Sequence, residues 1–382
     1  MNSPVAENVT VLDTAKLQSA LDDVHRAGMP GAYAEVRAPG VTWRGAAGIA
    51  DLDTGRPVEP DMRQRVGSIT KTFTAAAVLR QVERGRIELD APIGRYLPRR
   101  VPGERGERVT VRMLLNHTSG FAEYLPYAFP SLGAWPSLPD IRPESLDANR
   151  FRHFRREELI ELGLAASGRN EPGGTPGVYS NTNYLLLGEL LEEVTGTAAE
   201  EWITRDVVAR AGLRHTGFPD DPHLEGPHSR MYEGLFGLIA PPRDYSTYDM
   251  SWVRTGAGMV STVEDLNRFY GKLFAGEVVS ASSLAEMRRT VPVIAQTGER
   301  IDYGLGLHKV EIPGHGAFWG HYGTVWGALT MSLVNPDNGC QLSLALNLAR
   351  WNELDSEGKP RRHPIDDALD AFQLAALSVH SG

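Results

Sequence analysis

Strand-forming pattern gathers at the two ends of this chain and helical pattern fills its middle. That order constrains the fold more than any single motif. Near the start, "TAKLQSALDDVHRAG" has apolar residues at helical spacing and stops at Gly28, and "GAYAEVRAPGVTWRGAAGIADLDTG" then reads as two strands around a Pro-Gly turn. Near the end, "GLGLHKVEI", "GHGAFWGHYG", "GALTMSLVNPDNG" and "CQLSLALNLA" read as four strands, the last two joined through Pro-Asp-Asn-Gly, before a closing helix in "DDALDAFQLAALSV". Between them lie "TKTFTAAAVLRQVERGRI", Ala-rich and closed by Gly85, the shorter helices of "RVTVRMLLNHTSG" and "REELIELGLAAS", the long "NTNYLLLGELLEEVTG", and "STVEDLNRFYGKLFAG" with its Ser or Thr cap. The economical architecture is α/β (α+β): an antiparallel sheet flanked by helices and built from both termini, with a mainly helical lobe inserted. The expected division is an α/β lobe of residues 1–60 together with 295–382 and a helical lobe of residues 61–294. Residues 121–154, rich in proline and aromatics, fit neither lobe and are expected to form a lid loop.

Composition narrows the function classes. A net charge of -9 gives a nucleic-acid partner no support. The single cysteine, Cys340, excludes an internal disulfide framework and is expected as a buried thiol on a strand. The N-terminal stretch has no basic region followed by an apolar one, and no window approaches the roughly 20 apolar residues of a membrane span. The expectation is a cytoplasmic protein with no membrane partner. Only five of the 39 basic residues are lysines, so each lysine is of interest.

One of them is Lys71, in "VGSITKTF", three residues after Ser68. Ser-x-x-Lys occurs a second time, in "SEGKPRRHP", where Pro360 and a basic run mark a solvated turn. Ser68 instead stands at the entry of the strongest helix, where residues i and i+3 share a face and the helix N-terminus favours developing negative charge. It is either a nucleophile with an amine beside it or a plain N-cap serine. Neither a Gly-x-Ser-x-Gly elbow nor a His-Glu-x-x-His metal pair is present. Tyr179-Ser180-Asn181, the one Tyr-x-Asn of the chain, sits on a Gly/Pro-rich loop before a helix and can present a phenol and an amide to a cleft, or can be a packed tyrosine beside a cap. Of three His-x-Gly triplets, only His321-Tyr322-Gly323 lies among the C-terminal strands, where a glycine lets a substrate backbone approach closely.

"SITK", "YSN" and "HYG", in this order, resemble the three motifs of the serine β-lactamase and penicillin-binding protein superfamily. "LLNHTSGF", "PGVYSNTNYLLLGELLEEVTG", "DYGLGL" and "GHYGTVWG" are similar to phrases of its class C β-lactamase and D-alanyl-D-alanine carboxypeptidase branch. The resemblance covers roughly residues 14 to 375. It implies a two-lobed fold with the active site between the lobes, and acyl transfer through a Ser68 ester. Lys71 or Tyr179 would be the base, Asn181 would hold the acyl donor's amide, and the backbone N–H groups of Ser68 and Thr324 would form the oxyanion hole. His321 would take the third-motif place. No metal or organic cofactor is implied.

The chain also departs from that pattern. Carboxypeptidases with a His-x-Gly third motif grip the substrate carboxylate with an arginine after "GLGL"; here that residue is His308, followed by Lys309, and the usual threonine is Tyr322. An imidazole does not replace a bidentate guanidinium. The expected donor is therefore a small-molecule or peptide-like substrate without a free carboxylate: an amide, an ester or a carrier-bound peptide. Trp252, Trp326 and the aromatic segment from Tyr124 to Trp135 are candidates to line an apolar acyl or acceptor pocket, while Lys309 and His117 are expected to be structural or solvated. Three functions compete: a hydrolase of esterase, amidase or peptidase type; a transacylase of specialised-metabolite (antibiotic) biosynthesis passing the acyl group to an amine; and a non-catalytic binding module.

Overall fold

A computed structural model describes residues 10–133, 138, 140–378 and 380–381. Its framework is a ten-stranded sheet. From one edge, the order is Arg56–Pro57, Val41–Asp51, Gly31–Ala38, Gln341–Leu346, Ala328–Val334, Gly316–Val325, His308–Ile312, Arg300–Tyr303, Val291–Ile294 and Gly177–Val178. Neighbours are antiparallel except the last pair. The N-terminal hairpin turns at Pro39-Gly40, with Gly40 at φ 77°, and docks on the C-terminal strand in the register Val36↔Leu342. Both ends of the chain therefore build one sheet, as the strand pattern predicts.

Two helices cover one face, Thr14–Arg26 and Pro364–Leu377. Leu17, Leu21 and Val24 of the first and Leu369 and Phe372 of the second pack with Val36, Leu342 and Leu344 of the sheet. The opposite face carries Val263–Phe274, capped by Thr262, whose hydroxyl accepts from the Asp265 N–H. Asn267 of that helix donates to the Glu35 carbonyl at 2.9 Å and accepts from Ser343 at 2.8 Å, which ties helix to sheet. The Thr70–Glu83 helix is buried along most of its length: Ala75, Ala76, Ala77, Val78 and Leu79 are fully inaccessible. Alanines let neighbouring elements close on all sides of it.

Three features were not expected from the sequence. Val291–Ile294 and Arg300–Tyr303 extend the sheet as a hairpin, and Gly177–Val178 joins its edge. The segment 121–154, expected as a loop, contains the short helices Leu125–Ala128 and Glu144–Ala148, with Phe129, Ile141, Leu146 and Phe154 fully buried in the larger core. Trp135 lies outside the described residues. Among the described residues, no helix is long and apolar enough to cross a membrane.

The terminal-helix layer generates a prediction. Phe372 is fully buried and lies 6.2 Å from the Trp43 ring. Phe372→Ala is expected to destabilise the protein by about 3–5 kcal/mol, seen as a lower urea midpoint. An unchanged midpoint would contradict the packing described.

Candidate active site

Ser68 lies in a single 3₁₀ turn, Gly67–Ile69, that runs directly into the Thr70–Glu83 helix. The turn needs Gly67, whose φ is 53°. The strand Gly316–Val325 presses on it backbone to backbone. A Cβ on Gly323 would stand 1.8 Å from the Val66 oxygen and 3.0 Å from the Ser68 nitrogen, and one on Gly67 would stand 2.6 Å from the Thr324 nitrogen. These two glycines bring the N–H groups of Ser68 and Thr324 to one place. A pair of amides so placed can hold an oxyanion.

One helical turn beyond Ser68, the Lys71 side chain is completely buried. Its Nζ lies 2.9 Å from Ser68 Oγ, 2.7 Å from Asn181 Oδ1 and 2.9 Å from the Gly256 oxygen. Burial, opposed by the Glu123 carboxylate, pushes its pKa down to about 7. A neutral amine has two hydrogens and one lone pair. The two carbonyl oxygens only accept, so they take both hydrogens. The lone pair is left facing the Ser68 hydroxyl.

Asn181 has its amide direction fixed from the other side. Its Nδ2 donates to Glu123 Oε2 at 3.0 Å, and its backbone N–H donates to the same oxygen at 2.8 Å. A carboxylate cannot donate, so the Asn181 oxygen must turn toward Lys71. Glu123 also accepts from Gln296 at 3.0 Å, and burial raises its pKa. Glu123 was not marked in advance, since a lone carboxylate in a Pro- and aromatic-rich segment has no spacing to single it out.

Tyr179 completes the group. Its hydroxyl faces Ser68, and burial raises its pKa well above the ordinary phenol value. Its ring stacks on His117 at 4.1 Å and lies 4.9 Å from Lys71 Nζ. His117 is fully buried and not solvated; its Nδ1 accepts from the Ser180 N–H and from Asn183, so the ring is neutral. His321 reaches the same cluster, 6.5 Å from the Tyr179 ring, with Nε2 2.9 Å from the Tyr303 hydroxyl. Lys309 is away from it, in an ion pair with Glu311.

Ser68 opens on a cleft of about 290 Å³ whose walls include Asn181, Trp252, Trp326, Thr324 and Arg350. Trp252 and Trp326 stack at 5.2 Å, and Phe129 meets both edge-on. The Arg350 guanidinium lies over Trp326 at 4.9 Å and is held by the fully buried Glu233 through two hydrogen bonds of 2.9 and 2.6 Å.

Three expected substrate contacts are placed elsewhere. Side chains alternate along a strand, so Tyr322 points away from its neighbour His321; it packs with the terminal-helix core and is influenced by Asp370. The His308 ring goes with it, 5.5 Å from the Tyr322 ring. Tyr124 is fully buried and donates its hydroxyl to the Trp252 carbonyl, supporting the cleft wall from behind. Alternation along "GHYG" was the available signal for Tyr322; nothing in sequence marked Tyr124 as internal.

Glu123→Gln is expected to loosen Asn181 and to lower Ser68 acylation by about 10–100-fold. It also removes the charge that raises the Lys71 pKa, so the acid limb of the pH–rate profile should move to lower pH. Acylation by an activated ester across pH 5–9 measures both; an unmoved limb would contradict the coupling.

Comparison with known proteins identifies the family. The family model described as Beta-lactamase matches residues 15–366. Esterase EstB of Burkholderia gladioli is 33% identical over 354 residues, covering 83% of this chain and 86% of that protein. Penicillin-binding protein 4* of Bacillus subtilis (strain 168) is 28% identical over 299 residues, and the match covers 75% of this chain and 61% of that longer relative. A solved structure of a D-stereospecific amidohydrolase from Streptomyces sp. superposes with a TM-score of 0.77 at 33% identity, covering 88% of this chain and 95% of the other. The family model matched across nearly the whole length and a relative 33% identical over most of both chains show that this chain belongs to the beta-lactamase family.

Proposed function

We propose that this protein is a serine hydrolase that forms an acyl-enzyme at Ser68 and acts on small esters or amides with an apolar acyl group, D-amino-acid derivatives among them. The observation that carries this is the Ser68 hydroxyl 2.9 Å from an amine whose two hydrogens are taken by carbonyl oxygens. The relatives add support: one is named an esterase and one a D-stereospecific amidohydrolase.

The steps follow from the atoms present. Lys71 accepts the Ser68 proton as Oγ attacks the substrate carbonyl carbon. The resulting oxyanion sits between the N–H groups of Ser68 and Thr324. The Tyr179 phenol, kept protonated by burial, donates its proton to the departing alkoxide or amine, and the proton that Lys71 took from Ser68 passes to the Tyr179 phenolate, leaving both groups neutral. Water then attacks the ester by the same route in reverse. The stacked Trp252 and Trp326 receive an apolar acyl group, and Asn181 orients its amide. An amine in place of water would give transacylation with the same residues; the product distinguishes the two.

Two predictions follow from the roles assigned. Because attack needs neutral Lys71, kcat/KM is expected to rise with pH through about 7 and then level off. A limb near 10 would mean that Lys71 keeps an ordinary lysine pKa and would contradict its role as a neutral base. Intact mass after brief exposure to an activated acyl ester is expected to gain one acyl group on the wild type and none on Ser68→Ala, with turnover lost by about 10³-fold or more. A Ser68→Ala variant that still acylates would overturn the assignment.

A further inference from the structure

Beside the apolar end of the cleft, N–H groups from separate loops converge on one carboxylate. Glu233 is fully inaccessible to solvent. Its Oε1 accepts from the Leu235 N–H at 2.8 Å and from Arg350 Nε at 2.9 Å. Its Oε2 accepts from the Gly327 N–H at 2.9 Å and from Arg350 Nη2 at 2.6 Å. A carboxylate only accepts and these groups only donate, so the set is complementary.

Each of the loops so tied also supplies cleft wall. Gly327 closes the turn after Trp326; its φ is 76°, and a Cβ there would stand 2.5 Å from the Met231 oxygen. Leu235 and Phe236 both have positive φ, 40° and 59°, and so has Arg350, at 52°. Side chains of this size hold that backbone region only where their surroundings impose it. Arg350 Nη2 also donates to the Val325 oxygen at 3.1 Å, and the Arg350 oxygen accepts from the Phe236 N–H at 2.8 Å. Phe236, Trp326, Trp351 and Asn352 line the cleft that opens from Ser68. The reacting groups are held by other residues, Lys71 by Asn181 and Gly256.

We propose that Glu233 is a positioning residue that sets the acyl preference of this site. By fixing Trp326, Phe236 and Arg350 against one another it keeps an apolar slot open beyond Ser68, and the slot selects donors with an extended apolar acyl group over an acetyl group. This rests on acyl transfer at Ser68, with the acyl group lying against Trp326.

Glu233→Gln tests it. The carboxamide keeps the shape but turns an NH₂ toward donors, so one of the loops loses its acceptor. The measurement is kcat/KM for p-nitrophenyl hexanoate and for p-nitrophenyl acetate. The wild type is expected to favour the hexanoate by at least about tenfold, and in Glu233→Gln that ratio should fall by about fivefold or more. Loss of folded molecules lowers both rates alike, so an unmoved ratio would overturn the proposal. A wild type without preference for the hexanoate would overturn it too, even if Glu233→Gln does not fold.

A second readout needs no turnover. The stacked indoles of Trp252 and Trp326 give an exciton signal in the circular dichroism of the full chain, identified by its loss in Trp326→Phe. That signal is expected to weaken in Glu233→Gln. An identical signal would show Trp326 held without Glu233 and would overturn the proposal. Absence of any ester hydrolysis by the wild type would instead count against acyl transfer, and the dichroism would still decide whether Glu233 positions Trp326.

Discussion

The desolvation of one amine organises this structure. A lysine at a protein surface is protonated at neutral pH and has no lone pair to offer. Lys71 becomes useful only because it is sealed from water, and sealing it requires the surrounding architecture. The helix that carries it is lined with alanines so that other elements can close around it. The two carbonyls that satisfy its hydrogens come from distant segments, Asn181 and Gly256. Removing any wall would readmit water and return the amine to its ordinary protonated state.

The same exclusion of water shapes the neighbouring aromatic cluster. His117, Tyr179, Tyr303 and His321 are all buried, and burial favours the uncharged form of each. In such a medium, a neutral ring is fixed by which nitrogen meets a donor and which meets an acceptor. The backbone decides this in both histidines: an amide N–H sets His117 and a carbonyl oxygen sets His321. Positions that look like charged catalytic groups on paper act here as oriented dipoles.

Much of this was legible in the sequence, for local reasons. Helical periodicity placed Lys71 above Ser68, and strand pattern at the two ends foretold a sheet closed by both termini. Turn-rich spacing singled out Tyr179 and Asn181. What escaped has local reasons too. "VPVI" and "RIDY" are four-residue strands with a proline or charges, too short to display a period of two. Glu123 and Tyr303 act through partners far away in sequence, Asn181 and His321, and no pattern within either segment announces the pairing. Tyr322 was misplaced because a motif was followed where strand alternation should have been applied.

The joining of the two chain ends also sets a timetable. Gly31 donates to Asn347 across 316 residues, and the first hairpin finds its neighbour only in the strand Gln341–Leu346. During synthesis, the N-terminal hairpin leaves the ribosome with an unpaired edge and waits for almost the whole chain to follow, a topology of high contact order. The strand that presses on the Ser68 turn is itself held between neighbours completed in that last step. The burial that lowers the Lys71 pKa depends on those late pairings being in place. The reactivity of Ser68 is thus tied to pairings between residues as much as 316 positions apart.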